Sequence, residues 1–193
     1  TQRYLEIFPG DFSGNPAQRQ TPNFLFALTE IYGFKKAQLL HFNGNLAKEI
    51  GLGEIENQQD KEFLNATQLP ENLKTFSTAY AGHQFGQWAG QLGDGRAIYA
   101  GEIKNSKGKF TEIQWKGAGA TPYSRHADGR AVLRSSIREY LMSEAMFHLG
   151  IPTTRALSLS LTGEKVARDV MYNGNVDFEQ GAVVLRTWET FLR

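Results

Sequence analysis

The sequence predicts an α+β fold, in which a mostly antiparallel sheet packs against one main helix. Residues 97–116 form two β-rich runs with a period of two, separated by a polar turn at residues 104–109. An apolar stripe with helical spacing follows in residues 136–149 and stops at Gly150. Alternation with a period of two then resumes after Pro152. A hairpin, a helix and further strands therefore follow one another along the chain.

Residues 1–75 show short helical patterns without a chemical motif. Asn45 is placed to cap a short helix that one of the glycines in residues 51–53 would end. Residues 60–69 predict a second helix, stopped by Pro70. We therefore expect residues 1–75 to be an N-terminal helical extension of the region that holds the hairpin, main helix and sheet, residues 76–193.

The second strand of the predicted hairpin has two chemically different faces. Alternate residues share a face of a strand, so Thr111, Ile113 and Trp115 lie together. The opposite, polar face carries Glu112, Gln114 and Lys116. Lys116 thus leaves the strand on its polar face, immediately before the glycine-rich segment 117–119.

The main helix has two candidate starting points. Ser136 and Glu139 have the spacing of a capping box, which predicts a helix beginning near Ser136. A start near Asp128 also suits the pattern, and it would align Arg130, Arg134 and Arg138 on one face. The apolar stripe that is expected to face the core consists of Ile137, Leu141, Ala145 and Leu149.

The remainder of the chain predicts strands. Residues 155–161 alternate, residues 162–165 have the composition of a turn, and residues 166–171 predict a returning strand. A loop at residues 173–175 precedes an apolar strand at residues 181–186 that ends in a cation.

The composition excludes several classes of protein. The chain has 193 residues, a net charge of +1, four histidines and no cysteine, so a zinc site and disulfides are not expected. The near-zero charge gives no general attraction to nucleic acid or to a membrane surface. No apolar run is long enough to span a bilayer. We expect a soluble, cytoplasmic protein without nucleic-acid or membrane partners.

Glycines and cations concentrate in the centre of the chain. Ten of the twenty glycines lie between Gly82 and Gly129, interspersed with arginines and Lys116. Glycine allows close backbone approach, so this composition predicts a site for a polyanion such as nucleotide phosphates. A P-loop motif is absent, and the segment 93–98 lacks the third glycine of a dinucleotide fingerprint and precedes a strand.

The order of the parts matches another template. In protein kinases a glycine-rich turn leads into strands, a strand lysine contacts phosphates, and a helix glutamate pairs with that lysine. Lys116 is the candidate lysine, and Glu139 or Glu144 is the candidate glutamate. The alternative is that Lys116 ends an edge strand in solvent while Glu139 only caps its helix. The kinase catalytic loop and D-F-G motif are absent, so no catalytic base or metal ligand is expected within this chain.

Three long blocks carry a family resemblance. The segments YAGHQFGQWAGQLGDGRAI, KGAGATPYSRHADGRAVLRSSIREYLMSEAM and LGIPTTRAL resemble the selenoprotein O family of kinase-like protein adenylyltransferases. The resemblance implies transfer of AMP from ATP, with Mg²⁺ or Mn²⁺, to Ser, Thr or Tyr hydroxyls of target proteins. Transfer of UMP is also attributed to the family.

The resemblance implies roles for particular residues. Glu139 would partner the lysine, and the nucleotide would be held by Gly93, Gly95, Arg96, Lys116, Asp128, Gly129, Arg186 and Arg193. Glu189-Thr190 departs from a Pro-Ser pair that is common in the family. The family's catalytic aspartate and its metal-binding Asn and Asp lie in a C-terminal lobe, which we expect beyond Arg193, so the fragment alone is expected to be inactive.

Two other functions compete with this interpretation. A regulatory module would bind ATP without transferring any part of it. A nucleic-acid-binding domain would use the row formed by Arg130, Arg134 and Arg138, although the net charge favours an ion-paired or solvated face.

Overall fold

A computed structural model of the protein describes residues 1–191, which contain four helices and ten strands. The helices are α1 Arg3–Ile7, α2 Gly44–Ile50, α3 Gln58–Leu64 and α4 Leu133–His148. The strands are β1 Gly10–Asp11, β2 Phe26–Leu28, β3 Gln38–Phe42, β4 Phe76–Gln84, β5 Gln87–Gly93, β6 Ala97–Lys104, β7 Phe110–Lys116, β8 Ala131–Val132, β9 Arg155–Arg168 and β10 Asp177–Trp188.

All ten strands belong to one sheet, whose main path runs β1-β2-β4-β6-β7-β10-β9-β3. The strand β5 attaches to β4, and the short β8 attaches to β10. The pair β1–β2 is parallel and the other pairs are antiparallel. The α+β class, the antiparallel sheet and the β6–β7 hairpin are confirmed.

Different helices pack on the two faces of the sheet. The main core lies on the face covered by α2 and α3, where Trp115 is fully buried and its Nε1 donates to the carbonyl of Phe63 at 2.9 Å. The helix α4 packs on the other face, with Tyr140 against Leu159 and Val184. Since Val183 lies in the main core while Val184 lies under α4, alternation along β10 serves both layers.

Residues 1–75 contain more than helices. The three short helices are present, but β1, β2 and β3 in the same segment extend the sheet at both of its ends. These strands are two to five residues long. Such short strands leave a weak periodic signal, which explains why the sequence predicted only a helical extension.

Both short helices that we expected begin or end elsewhere. Asn43, rather than Asn45, caps α2 by accepting from the backbone N–H of Leu46, and Gly51 ends the helix in the left-handed conformation. The helix α3 is capped by Asn57 in a capping box with Asp60 and ends at Leu64. The prediction that it continues to residue 69 was wrong.

The main helix starts at Leu133, between the two predicted positions. Its N-cap is Val132, whose side chain makes no capping hydrogen bond, and Ser136 is buried inside the helix. The predicted capping box of Ser136 and Glu139 is therefore wrong. Tertiary structure sets the start, because β8 is paired with Gly181 and Ala182 of β10 and runs directly into α4.

The predicted apolar stripe of α4 does not face the core. Leu141 and Leu149 are 61% and 74% exposed, and Ile137 is 39% exposed. The buried face instead carries Ser136, Tyr140 and Ser143. The sequence identified the helix correctly but assigned its packing to the wrong face.

The strand β9 is continuous where a turn was expected. It pairs with β10 over its whole length, and residues 162–165 lie inside it. A register shift places Gln180 opposite Lys165 and Ala182 opposite Leu161, so β9 carries a bulge there. Gly163 in this bulge has φ of 76°, a left-handed conformation that favours glycine, so the bulge needs a residue that is also typical of turns.

Candidate functional site

Three charged side chains meet between the sheet and α4. Lys116 Nζ donates to Glu139 Oε2 at 2.5 Å, and Arg186 Nη1 donates to Glu139 Oε1 at 3.2 Å. Lys116 lies on β7 and Arg186 lies on the neighbouring strand β10, two residues after Val184, which pairs with Lys116 in the sheet register. Glu139 reaches them from α4. The carboxylate thus bridges both cations.

Burial affects the charge on Lys116. Desolvation lowers the pKa of the Lys116 amine, and the carboxylate of Glu139 raises it. The guanidinium groups of Arg186 and Arg96 lower it further, so the pKa lies below its ordinary value. An additional anion beside Lys116 would favour the charged amine.

Glu144 has a different role from Glu139. It pairs with Arg155, which donates from Nε at 2.8 Å and from Nη2 at 2.7 Å. It also accepts from Asn43 Nδ2 at 2.9 Å and from the backbone N–H of Ala156. Glu144 therefore joins α4 to α2 and β9, and Glu139 is the partner of the strand lysine.

A cleft of about 700 Å³ opens beside this cluster. Five of the residues that the resemblance assigned to the nucleotide line it: Gly93, Gly95, Arg96, Asp128 and Gly129. Arg125 and His126 line it as well. The cleft is joined to the charged cluster through the backbone, because the N–H of Gly117 donates to the carbonyl of Arg96 at 2.8 Å.

None of the three lining glycines has room for a side chain, and a Cβ on Gly95 would lie 2.9 Å from the carbonyl oxygen of Tyr123. A Cβ on Gly93 would lie 2.3 Å from the ring of Tyr123. A Cβ on Gly129 would lie 2.0 Å from the carbonyl oxygen of Gly119, and its φ of 69° favours glycine as well. The glycines let the walls of the cleft approach one another closely.

Asp128 is held by an arginine that the sequence did not suggest. Arg168 Nη1 donates to Asp128 Oδ2 at 2.7 Å, and Nη2 donates to Oδ1 at 3.0 Å. Burial raises the pKa of Asp128, but the hydrogen bonds from Arg168 and from the backbone of Arg130 outweigh it and lower the pKa below its ordinary value. Arg168 also lines the cleft. No local pattern links the two residues, because β9 brings Arg168 to the site.

The remaining assigned residues have separate positions. Arg186 belongs to the charged cluster and is not among the residues that line the cleft. Arg193 lies outside the described residues.

The row of arginines is engaged in ion pairs. Arg130 pairs with Glu164, and Arg134 Nε donates to Glu179 at 2.5 Å. Arg130 also lies over the ring of Tyr32, 4.1 Å from its centroid. The row therefore does not present three free cations on one face.

Within residues 1–191, the His, Asp and Glu side chains form no cluster of three or more that could hold a metal ion. Acids at the site are already engaged by other side chains, Glu139 by two cations and Asp128 by Arg168. The described residues alone do not fit a bound metal. None of the described helices combines the length and apolarity that crossing a membrane requires.

A strand lysine paired with a helix glutamate, on an antiparallel sheet beside a glycine-walled cleft, is the arrangement of a protein-kinase-like N-terminal lobe. Comparison with known families narrows this class. The family described as protein adenylyltransferase SelO matches residues 13–193. The chain belongs to that family, which confirms the resemblance seen in its sequence blocks.

Several relatives carry the name protein nucleotidyltransferase YdiU. The protein of Cytophaga hutchinsonii is 51% identical over 100% of this chain and 37% of its own length. That of Rhodopirellula baltica is 59% identical over 99% of this chain and 36% of its own. That of an Azoarcus species is 47% identical over 99% of this chain and 37% of its own length. The chain thus spans little more than a third of these relatives.

Proposed function

We propose that this chain is the ATP-binding lobe of a protein nucleotidyltransferase that transfers AMP to Ser, Thr or Tyr hydroxyls of target proteins. The observation that supports this most directly is the Lys116–Glu139 pair beside a glycine-walled cleft that carries Arg96. Membership of the SelO family supports the reaction class. UMP transfer would use the same phosphate contacts.

The charged cluster suits a triphosphate. Glu139 fixes Lys116 against the sheet, so a flexible ammonium is held in one position for phosphate oxygens. Within residues 1–191 the buried Nε of Arg186 has no hydrogen-bond partner. A buried donor without an acceptor is costly, and a phosphate oxygen would satisfy it.

The cleft would hold the nucleotide through its backbone and its cations. Gly93, Gly95 and Gly129 let the walls of the cleft pack closely against neighbouring segments, and Arg96 supplies a positive charge. Asp128 would remain in place because Arg168 holds both of its oxygens. Arg193 would complete the phosphate contacts.

The catalytic part is proposed to lie outside this chain. The longer relatives leave room for a second lobe, which would supply the catalytic base and the ligands for Mg²⁺ or Mn²⁺. In this proposal residues 76–193 form the nucleotide-binding region and residues 1–75 extend it. Residues 1–193 alone would transfer nothing.

The test compares the complete protein with its Lys116→Ala variant in calorimetry with ATP and in transfer of labelled AMP to protein. Lys107→Ala is the matched control, since Lys107 lies exposed in the turn between β6 and β7. We expect Lys116→Ala alone to abolish transfer. Equal transfer by both variants would refute the role of Lys116. ATP binding without any transfer by the unmodified protein would instead identify a regulatory nucleotide-binding module.

A further inference from the structure

Gln114 connects the charged cluster to the glycine turn. It is fully buried on β7, and the sheet register places it directly opposite Arg186 on β10. Its side-chain oxygen accepts a hydrogen bond from Arg186 Nη2, and its Nε2 donates to Asp94 Oδ2 at 3.3 Å. One amide therefore contacts an arginine and a carboxylate at the same time.

Asp94 is the other end of this connection. It lies between Gly93 and Gly95, is 7% exposed, and accepts from Thr78 Oγ1 at 2.6 Å. Its backbone carbonyl accepts from Thr121 Oγ1 at 2.8 Å. These bonds fasten the turn that carries the two glycines of the cleft wall.

The hydrogen bonds form an unbroken series between the two halves of the site. It runs from Asp94 through Gln114 to Arg186, from there to Glu139, and finally to Lys116. The cleft and the charged cluster are otherwise joined by the backbone bond between Gly117 and Arg96. A shift of either half would break a buried hydrogen bond.

We propose that Gln114 is a positioning residue, which holds Arg186 and the glycine turn in one fixed relation so that the cleft and the lysine act on the same nucleotide. This inference rests on the proposed ATP site. Gln114 itself does not line the cleft. It acts through Arg186 on one side and through Asp94 on the other.

Glutamine is suited to this position because its amide offers a donor and an acceptor together. Methionine would keep the length of the side chain and leave both Arg186 and Asp94 without this partner. Glutamate would still accept from Arg186 but would place a second carboxylate against Asp94. Methionine therefore removes both contacts, whereas glutamate disturbs only the contact with Asp94.

The experiment uses the complete protein and measures ATP affinity by calorimetry well below the unfolding temperature of each variant. We expect Gln114→Met to weaken ATP binding about tenfold, since it removes hydrogen bonds to charged groups. The control is Ser160→Ala, which also removes a buried hydrogen bond of the sheet, to Asn65 at 2.6 Å, away from the site. Both variants will lower the melting temperature, but Ser160→Ala will leave the affinity unchanged.

A charge exchange tests the contact with Asp94 directly. Gln114→Glu will weaken ATP binding, and adding Asp94→Asn will restore much of the affinity, because the amide and the carboxylate then change places. A general effect on stability would not produce such recovery, since two buried substitutions together would destabilise more than one. The exchange also keeps the test valid if Gln114→Met fails to fold.

The outcomes separate the two proposals. If the unmodified protein binds ATP and Gln114→Met binds equally well, the role of Gln114 is refuted and the proposed function stands. If Gln114→Glu is not improved by Asp94→Asn, the connection to the glycine turn is refuted. If the unmodified protein binds no ATP, the proposed function fails and the inference fails with it.

Discussion

Arg168 of β9 holds both carboxylate oxygens of Asp128, with hydrogen bonds of 2.7 and 3.0 Å across the mouth of the cleft. The pair is partly exposed, with side-chain exposures of 28% and 43%. Such pairs contribute about 1 kcal/mol or less to stability. The main effect of the pair is therefore to fix the position and the charge of Asp128, and its contribution to the free energy of unfolding is small.

Replacing this arginine tests that view. Arg168→Ala leaves the Asp128 carboxylate uncompensated where phosphates are proposed to bind, so ATP affinity will fall several-fold while the melting temperature changes little. Arg168→Lys keeps the charge but cannot contact both oxygens of Asp128. Its ATP affinity will therefore lie between that of the unmodified protein and that of Arg168→Ala. Titration calorimetry on the complete protein measures both. An unchanged affinity in Arg168→Ala would place the nucleotide away from Asp128.

Glu139 and Glu144 provide a matched pair on one helix. Glu139→Gln weakens the fixation of Lys116 and will lower AMP transfer by about tenfold or more. It will also lower the melting temperature, because Lys116 and Arg186 are both partly buried. Glu144→Gln leaves the nearly buried Arg155 with only the more distant carboxylate of Glu49, at 3.4 Å, and will destabilise the fold by about 2 kcal/mol. Transfer per folded molecule will remain normal in Glu144→Gln. The reverse pattern would show that the lysine partner has been misassigned.

Acid stability will depend on Asp11. Hydrogen bonds from Ser13 and from the guanidinium of Arg19 lower the pKa of Asp11 to about 2, from a reference of 3.8. A depressed carboxyl pKa adds stability above its unfolded-state value, and this contribution is lost as the pH falls through the folded-state value. Asp11→Asn will therefore reduce stability at pH 6, and the difference will shrink between about pH 4 and pH 2. Urea unfolding over this range measures it, with the exposed Asp177→Asn as the control.

The exposed face of α4 predicts how residues 1–193 behave alone. Ile137, Leu141 and Leu149 form an apolar surface that nothing in residues 1–191 covers. Leu141→Lys will reduce self-association of this piece without changing its circular dichroism. In the complete protein, where we propose that the second lobe covers this face, the same change will lower stability. If the complete protein and its Leu141→Lys variant were equally stable, the second lobe would not cover this face. Lys107→Ala serves as the surface control.

The tip of the β4–β5 hairpin holds an aromatic residue in an unfavourable conformation. Phe85 has φ of 54° and is 92% exposed, and Gly86 follows with φ of 80°. Two positive φ values define a turn that favours Asn-Gly. Phe85→Asn will raise the free energy of unfolding by about 0.5 kcal/mol, whereas Gly86→Ala will lower it by about 1 kcal/mol or more. Denaturant titration detects both, and a loss of stability in Phe85→Asn would indicate that the ring is packed.

Local signals in the sequence were sufficient for several elements. The alternation in residues 97–116 predicted β6 and β7, and the same alternation placed Gln114 on one face with Lys116. Near-neighbour periodicity arises from the backbone itself, so it survives in any tertiary context. The glycine turn and the cations were visible because they depend only on which residues are present.

Other features depended on distant partners. The turn predicted at residues 162–165 is a bulge because β10 pairs with both sides of it. The start of α4 follows from the pairing of β8 with β10, and not from the local pattern at Ser136. In each case a long-range ladder of hydrogen bonds outweighed a short-range preference.

The sequence by itself determined the fold class, the family and the chemical character of the site, since these depend on periodicity and on which residues are present. Tertiary structure decided which glutamate meets Lys116, which arginine holds Asp128, and which face of α4 stays exposed. Those choices depend on sheet register, because a strand brings together residues that lie far apart along the chain. The contacts of Gln114 with Arg186 and Asp94 are of this kind.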